Sequence, residues 1–320
     1  MPIIHHWRST DGIDNSIALQ SRFPDVFVAI AELDRLGHLV LHRAGSRTDP
    51  ASLEEVVGIA LLRRAVTVFA SLRHLLEQSL PDPARALARA QFELWLNYRA
   101  LAYGTLAHIT LETPCVASER AHRAEYFFLA SERRGLLSRA LILHPNSPYR
   151  PAEATDRDAL EKELAENVVR LRREFSAPWS WYGDTASDSL AVKEAVMRDR
   201  LWFEHLWPDG SVKSIRSLAS AFEYDWEYDF TYDSFSALVH ARGIRHDVEF
   251  DHAYCNVRHP YDDSWFQVVA YRALLWHGMV LMTAVKWQVP QMLADLQSFH
   301  SQHREAIKQL GAGALPPVLS

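Results

Sequence analysis

The sequence predicts an all-α fold, a multi-helix bundle of about nine or ten helices. Apolar residues recur at helical spacing through most of the 320 residues, and no strand-like alternation lasts more than a few positions. Only 12 glycines are spread along the chain, too few to punctuate a series of short strands.

The elements follow in order. A first helix is predicted from about Pro24 to His42, closed by the breaker stretch RAGSRTDP. The next opens on Ser52 and Glu55, a capping box in which each side chain satisfies an orphan amide. Its stripe Val57, Leu61, Ala65, Val68, Leu72, Leu75 is the predicted core face. Asp82 before Pro83 reads as an N-cap with proline at the first helical position, starting a helix that reaches roughly His108. A fourth helix covers Val116 to Leu143 and ends in a proline-rich stretch; a charged amphipathic one follows from Asp156 to about Phe175. APWSWYGDTASD reads as a Trp-rich loop, a lid or an interface if exposed. Helices near Leu190–Leu206, Ser214–Phe222 and Tyr224–His240 come next, then an irregular stretch over 242–262. A long apolar helix from Trp265 to Val285 and a final one from Pro290 to about Leu310 complete the set.

Composition narrows the function classes. A formal charge of −6 argues against a surface that coats duplex DNA, because such binding rests on many cationic contacts to phosphate. Two cysteines, Cys115 and Cys255, build no disulfide framework and match no zinc spacing. The start MPIIHHWRSTDG carries no apolar signal region, and Gln267, Arg272 and His277 interrupt the most apolar stretch. A cytoplasmic protein without a membrane span is therefore expected.

Two segments carry a family resemblance. ARALARAQFELWLNYRALAYG holds Arg89 and Glu93, and SIRSLASAFEYDWEYDFTYDSFSALVHAR holds Tyr228, Tyr232, Ser236 and His240. Together they resemble the bacterial family DUF5677, whose members show an Arg-x-x-x-Glu pair followed by spaced tyrosines and a Ser-x-x-x-His ending. The resemblance covers roughly residues 50 to 245. It divides the chain into an N-terminal helical extension (1–48), a DUF5677-like helical domain (49–245) and a C-terminal helical extension (246–320) packed on the same core. It implies a helical fold and no established chemistry.

The same segments hold the candidate site. Arg89 and Glu93 share a helix face at i, i+4, with Arg85 and Asn97 on the same stripe. Arg before Glu is the weaker order for helix stabilisation, so the alternative to a solvated ion pair is a guanidinium held by a carboxylate to bind an anion. Asp229, Asp233, Ser236 and His240 likewise share one face, on which His240 is either a helix-end hydrogen-bonding group or a general base. No nucleophile elbow or glycine-rich oxyanion loop accompanies them, which argues against a serine-hydrolase triad. Helical HEPN-type ribonucleases, which cleave RNA with Arg and His, offer an analogy. Arg139 and His144 have their nominal spacing, but one or two such pairs are expected by chance among 34 basic residues and 16 histidines.

Four histidines crowd residues 240–259, and His246, His252, His259 and Asp251 are the candidate metal ligands, although their spacing matches no known motif. The leading expectation is a pocket of Arg89, Glu93, Ser236 and His240 acting on RNA or a phosphate-bearing small molecule, with no cofactor. Two rivals stand beside it: a non-enzymatic homo-oligomeric interaction module, and a metal-dependent enzyme using the 240–259 segment.

Overall fold

The computed structural model describes residues 11–46, 51–105, 114–182, 201–229, 231, 248–251, 254–257 and 266–311. They form a multi-helix all-α fold with one small hairpin. A helix not expected from the sequence, α1 (Asp11–Arg22), precedes α2 (Pro24–Gly45), α3 (Leu53–Glu77) and α4 (Pro81–Tyr103). Then come α5 (Ala117–Leu143), α6 (Ala154–Glu174), α7 (Ser176–Tyr182), a 3-10 turn (Trp202–Leu206), α8 (Ile215–Ala221) and α9 (Asp225–Tyr228). Strands β1 (Val248–Asp251) and β2 (Tyr254–Val257) pair antiparallel within the stretch expected to be irregular. The helices α10 (Phe266–Gln288) and α11 (Leu293–Leu310) close the order.

Several local expectations need correction. At α3, the Ser52 backbone N–H donates to Glu55 at 3.2 Å, as the capping box requires. Of the predicted stripe Val57, Leu61, Ala65 and Leu72 are buried; Leu62, Val66, Phe69 and Leu76 share the buried face, while Val68 and Leu75 are only half-buried. Helix α4 starts at Pro81 rather than after Asp82. Both early prolines fall in the first turn, where an N–H would have no intrahelical acceptor anyway. It stops at Tyr103 because Gly104 takes φ 64° and returns its N–H to the Ala100 carbonyl at 2.9 Å. Residues 177–182 of the Trp-rich stretch belong to helix α7 and the remainder lies outside the described residues; Trp179 is buried in a core.

The chain divides into two compact units. The first comprises 1–51, 58–114 and 218–320; the second comprises 52–57 and 115–217.

In the first unit α10 is the central helix, packed chiefly on α4 and also on α2 and α11. It is long and apolar enough to cross a membrane, but it is covered on nearly all sides within this unit. Its contacts fix the directions of its neighbours. Phe266 stacks on Phe23 and Phe27, and His277 lies against Gly37, so α2 runs parallel to α10. Gln91 meets His277 and Tyr98 donates to Gln288 at 2.8 Å, so α4 is also parallel. Gly58 faces Trp287 while Phe69 stacks on His277, which makes α3 antiparallel. Each large side chain fully buried here contributes about 1.5–3 kcal/mol.

The second unit is built on an αα-hairpin. Arg139 pairs with Glu163 at 2.9 Å and Arg170 with Glu132 at 3.9 Å, an antiparallel register for α5 and α6. Between them lie Leu129, Leu136, Leu164, Val168 and Leu171, closed by Tyr126 and Trp179.

Two glycine substitutions separate packing from helix propensity. At Gly37 a Cβ would stand 2.7 Å from His277 Nε2, whereas at Gly135 it would meet nothing within 4 Å. Gly37→Ala should lower the unfolding free energy by about 1–3 kcal/mol through overpacking. Gly135→Ala, in exposed helix, should raise it by up to about 1 kcal/mol. Denaturant titration of the two variants measures both signs.

Candidate functional site

The first motif segment is helix α4, and its sequence sets which groups it presents. One face is apolar and buried: Ala88, Phe92, Trp95 and Leu96 pack inward. Arg85 and Arg99 fall within that buried face and Arg89 stands at its border, the three inside an arc of about 80° at 100° per residue. None of the three is fully in water. Arg85 and Arg99 are buried, and the Arg89 side chain is 16% exposed.

Glu93 holds Arg89 directly, accepting from its Nε at 3.0 Å. The carboxylate is half-buried, so the pair is more ordered than a solvent-exposed helix couple. One turn beyond Glu93, the Asn97 side chain donates back to the Glu93 carbonyl at 2.8 Å.

Arg99 identifies what the buried face of α4 meets. Its guanidinium carbon lies 3.7 Å above the Phe222 ring, and four residues earlier Trp95 receives the edge of Tyr224 at 4.8 Å. Phe222 and Tyr224 belong to the second motif segment. The two segments therefore meet, through residues that motif spacing did not single out. Trp95 also stacks on Trp276 of α10 at 5.2 Å. On the far side Arg272, itself buried, sits 5.1 Å from Trp226, 5.6 Å from Tyr271 and 5.9 Å from Trp276. Two buried guanidinium groups thus lie against aromatic faces, a geometry that suits a planar delocalised cation and not a lysine.

Charge in this layer is tuned by burial. Burial pushes the Tyr224 phenol up; Arg99 opposes that, while Glu227 and Glu223 add to it. Burial lowers Arg272, with Glu227 and Tyr271 acting the other way. Tyr228, the first motif tyrosine, is buried. Tyr232, Asp233, Ser236, His240 and His246 lie outside the described residues, as do His252 and His259; Asp251 ends strand β1. Among the described residues no group of three or more His, Cys, Asp or Glu is placed to hold a metal ion. Arg139 is engaged by Glu163, and His144, at the C-terminal end of α5, accepts the Asn146 N–H.

Next to the aromatic layer lies a buried polar couple. His277 has no solvent exposure, stacks on Phe69 with centroids 4.0 Å apart, and its Nδ1 lies 2.6 Å from Gln91 Nε2. Among the described residues its Nε2 and the Gln91 Oε1 have no hydrogen-bond partner. In the sequence His277 shows only as an interruption of an apolar run; nothing there indicates its depth.

The profile of the family DUF5677, described as a family of unknown function, matches residues 55–252. No curated protein and no solved structure matches the chain.

His277 makes stability depend on pH. Burial lowers it from an ordinary 6.5 to about 3, with His38 acting in the same direction. The unfolded chain takes up a proton near 6.5 that the folded chain refuses. This contribution is intact above pH 6.5 and is lost as pH falls toward 3, by about 1.4 kcal/mol per pH unit at most. His277→Gln should flatten the pH dependence of the unfolding free energy between pH 6 and 4, measured by denaturant titration at each pH.

Proposed function

The chain belongs to DUF5677, and from that footing we propose that it hydrolyses a phosphate-bearing substrate, RNA first among them. Arg89 is the anion clamp and Glu93 the group that holds it. His240 is the general base and Ser236 a hydrogen-bonding partner of the substrate. The single observation that carries this reading is the Arg89–Glu93 pair at 3.0 Å, partly withdrawn from water. A guanidinium fixed by a carboxylate is pre-organised for a tetrahedral oxyanion and costs less to order on binding than a mobile one.

Support comes from the setting of the pair. It lies on the same helix as Arg99, ten residues earlier, and Arg99 covers Phe222 in the segment that continues to Ser236 and His240. In RNA cleavage the imidazole would take the 2′-hydroxyl proton while that oxygen attacks phosphorus. The 5′-oxygen then leaves, taking a proton from the imidazolium or from water, Arg89 stabilises the charge developing on the phosphoryl oxygens, and water opens the resulting 2′,3′-cyclic phosphate to complete the hydrolysis. A defence or toxin role in a bacterium follows by analogy with helical ribonucleases alone.

Labelled single-stranded RNA tests this. Wild-type protein should cleave it, with His240→Ala and Arg89→Ala each reducing kcat/KM about 100-fold or more. Equal activity in all three proteins, or none in the wild type, removes the reading.

A further inference from the structure

The second unit contains an imidazole pair outside the site described above. His205, on the 3-10 turn, lies flat on Tyr126 with ring centroids 3.8 Å apart and planes 9° from parallel. Its Nδ1 is within hydrogen-bond reach of the Trp202 carbonyl. A carbonyl oxygen only accepts, so Nδ1 carries the proton and Nε2 carries the lone pair. That Nε2 is buried and has no hydrogen-bond partner among the described residues. A fixed tautomer, an imidazole N–H committed to a backbone carbonyl and an unused nitrogen are the features by which proteins orient histidine ligands.

The neighbouring ring is His122, on an exposed position of α5, with centroids 5.8 Å apart and planes at 78°. This spacing can be compared with metal bonding. With a Zn–N bond of about 2.0 Å and a nitrogen about 1.1 Å from the ring centre, two imidazoles on one ion have centres at most about 6.2 Å apart, and about 5.1 Å for a tetrahedral angle. The observed separation lies between those limits.

We propose that His122 and His205 form a two-imidazole site for a late first-row divalent cation such as Zn²⁺, Ni²⁺ or Cu²⁺, with water or an exogenous donor completing its coordination. Nitrogen ligands of this softness select these ions over Mg²⁺ and Ca²⁺. The nearby cation Arg123 is held by Glu119 at 2.9 Å, which offsets its charge. Burial also lowers His205 to about 4, so it is neutral and ligand-ready at ordinary pH.

Calorimetric titration of the full chain with NiCl₂ and with ZnCl₂ at pH 7.5 tests the proposal. The wild type should take up one ion in the micromolar range at this site. His122→Ala, at an exposed position, and His205→Phe, which keeps the stack on Tyr126, should each weaken that uptake at least tenfold. If His205→Phe does not fold, His122→Ala alone still decides. Histidines 246, 252 and 259 are untouched in both variants, so an ion held by them would bind undiminished. Undiminished binding in either folded variant, or no uptake by the wild type up to 1 mM, overturns the proposal.

Discussion

A buried imidazole between four helices sets the geometry of the first unit. His277 of α10 occupies a space that Gly37 of α2 leaves open, lies flat on Phe69 of α3, and meets Gln91 of α4 at 2.6 Å. Apolar side chains tolerate small slips between helices, but a buried hydrogen bond does not, since an unpaired polar group in a core costs its full desolvation. This contact therefore fixes the register of α4 on α10, while the Gly37 gap and the Phe69 stack seat α2 and α3 against the same ring. The Trp95–Trp276 stack lies beside it on α4 and α10, and through Trp95 that register extends to Tyr224. Alignment of the two motif segments thus follows from a residue in neither of them.

How much of this was legible in the sequence depends on whether the determinant is local. Helix periodicity is local, and it located α2, α3, α5, α6, α10 and α11 within a few residues. The end of α4 turns on the backbone angle of Gly104, a signal that an adjacent helical pattern obscures. The inward turn of Trp179 is a tertiary outcome: its indole fills the end of the α5–α6 pair, and no spacing rule announces it. The hairpin of four-residue strands is too short for alternation to stand out.

The candidate site divides along the same line. The Arg89–Glu93 pair was readable because i, i+4 neighbours meet on any helix. Arg99 was not, since its role comes from Phe222, more than a hundred residues away. Arg272 and His277 were visible only as interruptions in an apolar helix. Periodicity says that a polar residue lies on a buried helix, but not whether it faces a partner, an aromatic ring or solvent. His205 was hidden for a related reason: its chemistry rests on a carbonyl three residues back and a tyrosine on another helix.

Helix α10 has a consequence for biosynthesis. Its 23 residues would extend about 34 Å, enough to span the hydrocarbon layer of a bilayer. Such a segment leaving the ribosome is a potential client for insertion machinery. Arg272 and His277 lie within it, and an arginine near the centre of a span costs about 2.5–3.5 kcal/mol on insertion scales. Its partners α2, α3 and α4 have all been synthesised before it emerges. Phe69 and the Gln91 amide that receive His277, and Trp226 against Arg272, are thus already made, so docking onto earlier segments competes with partition into lipid.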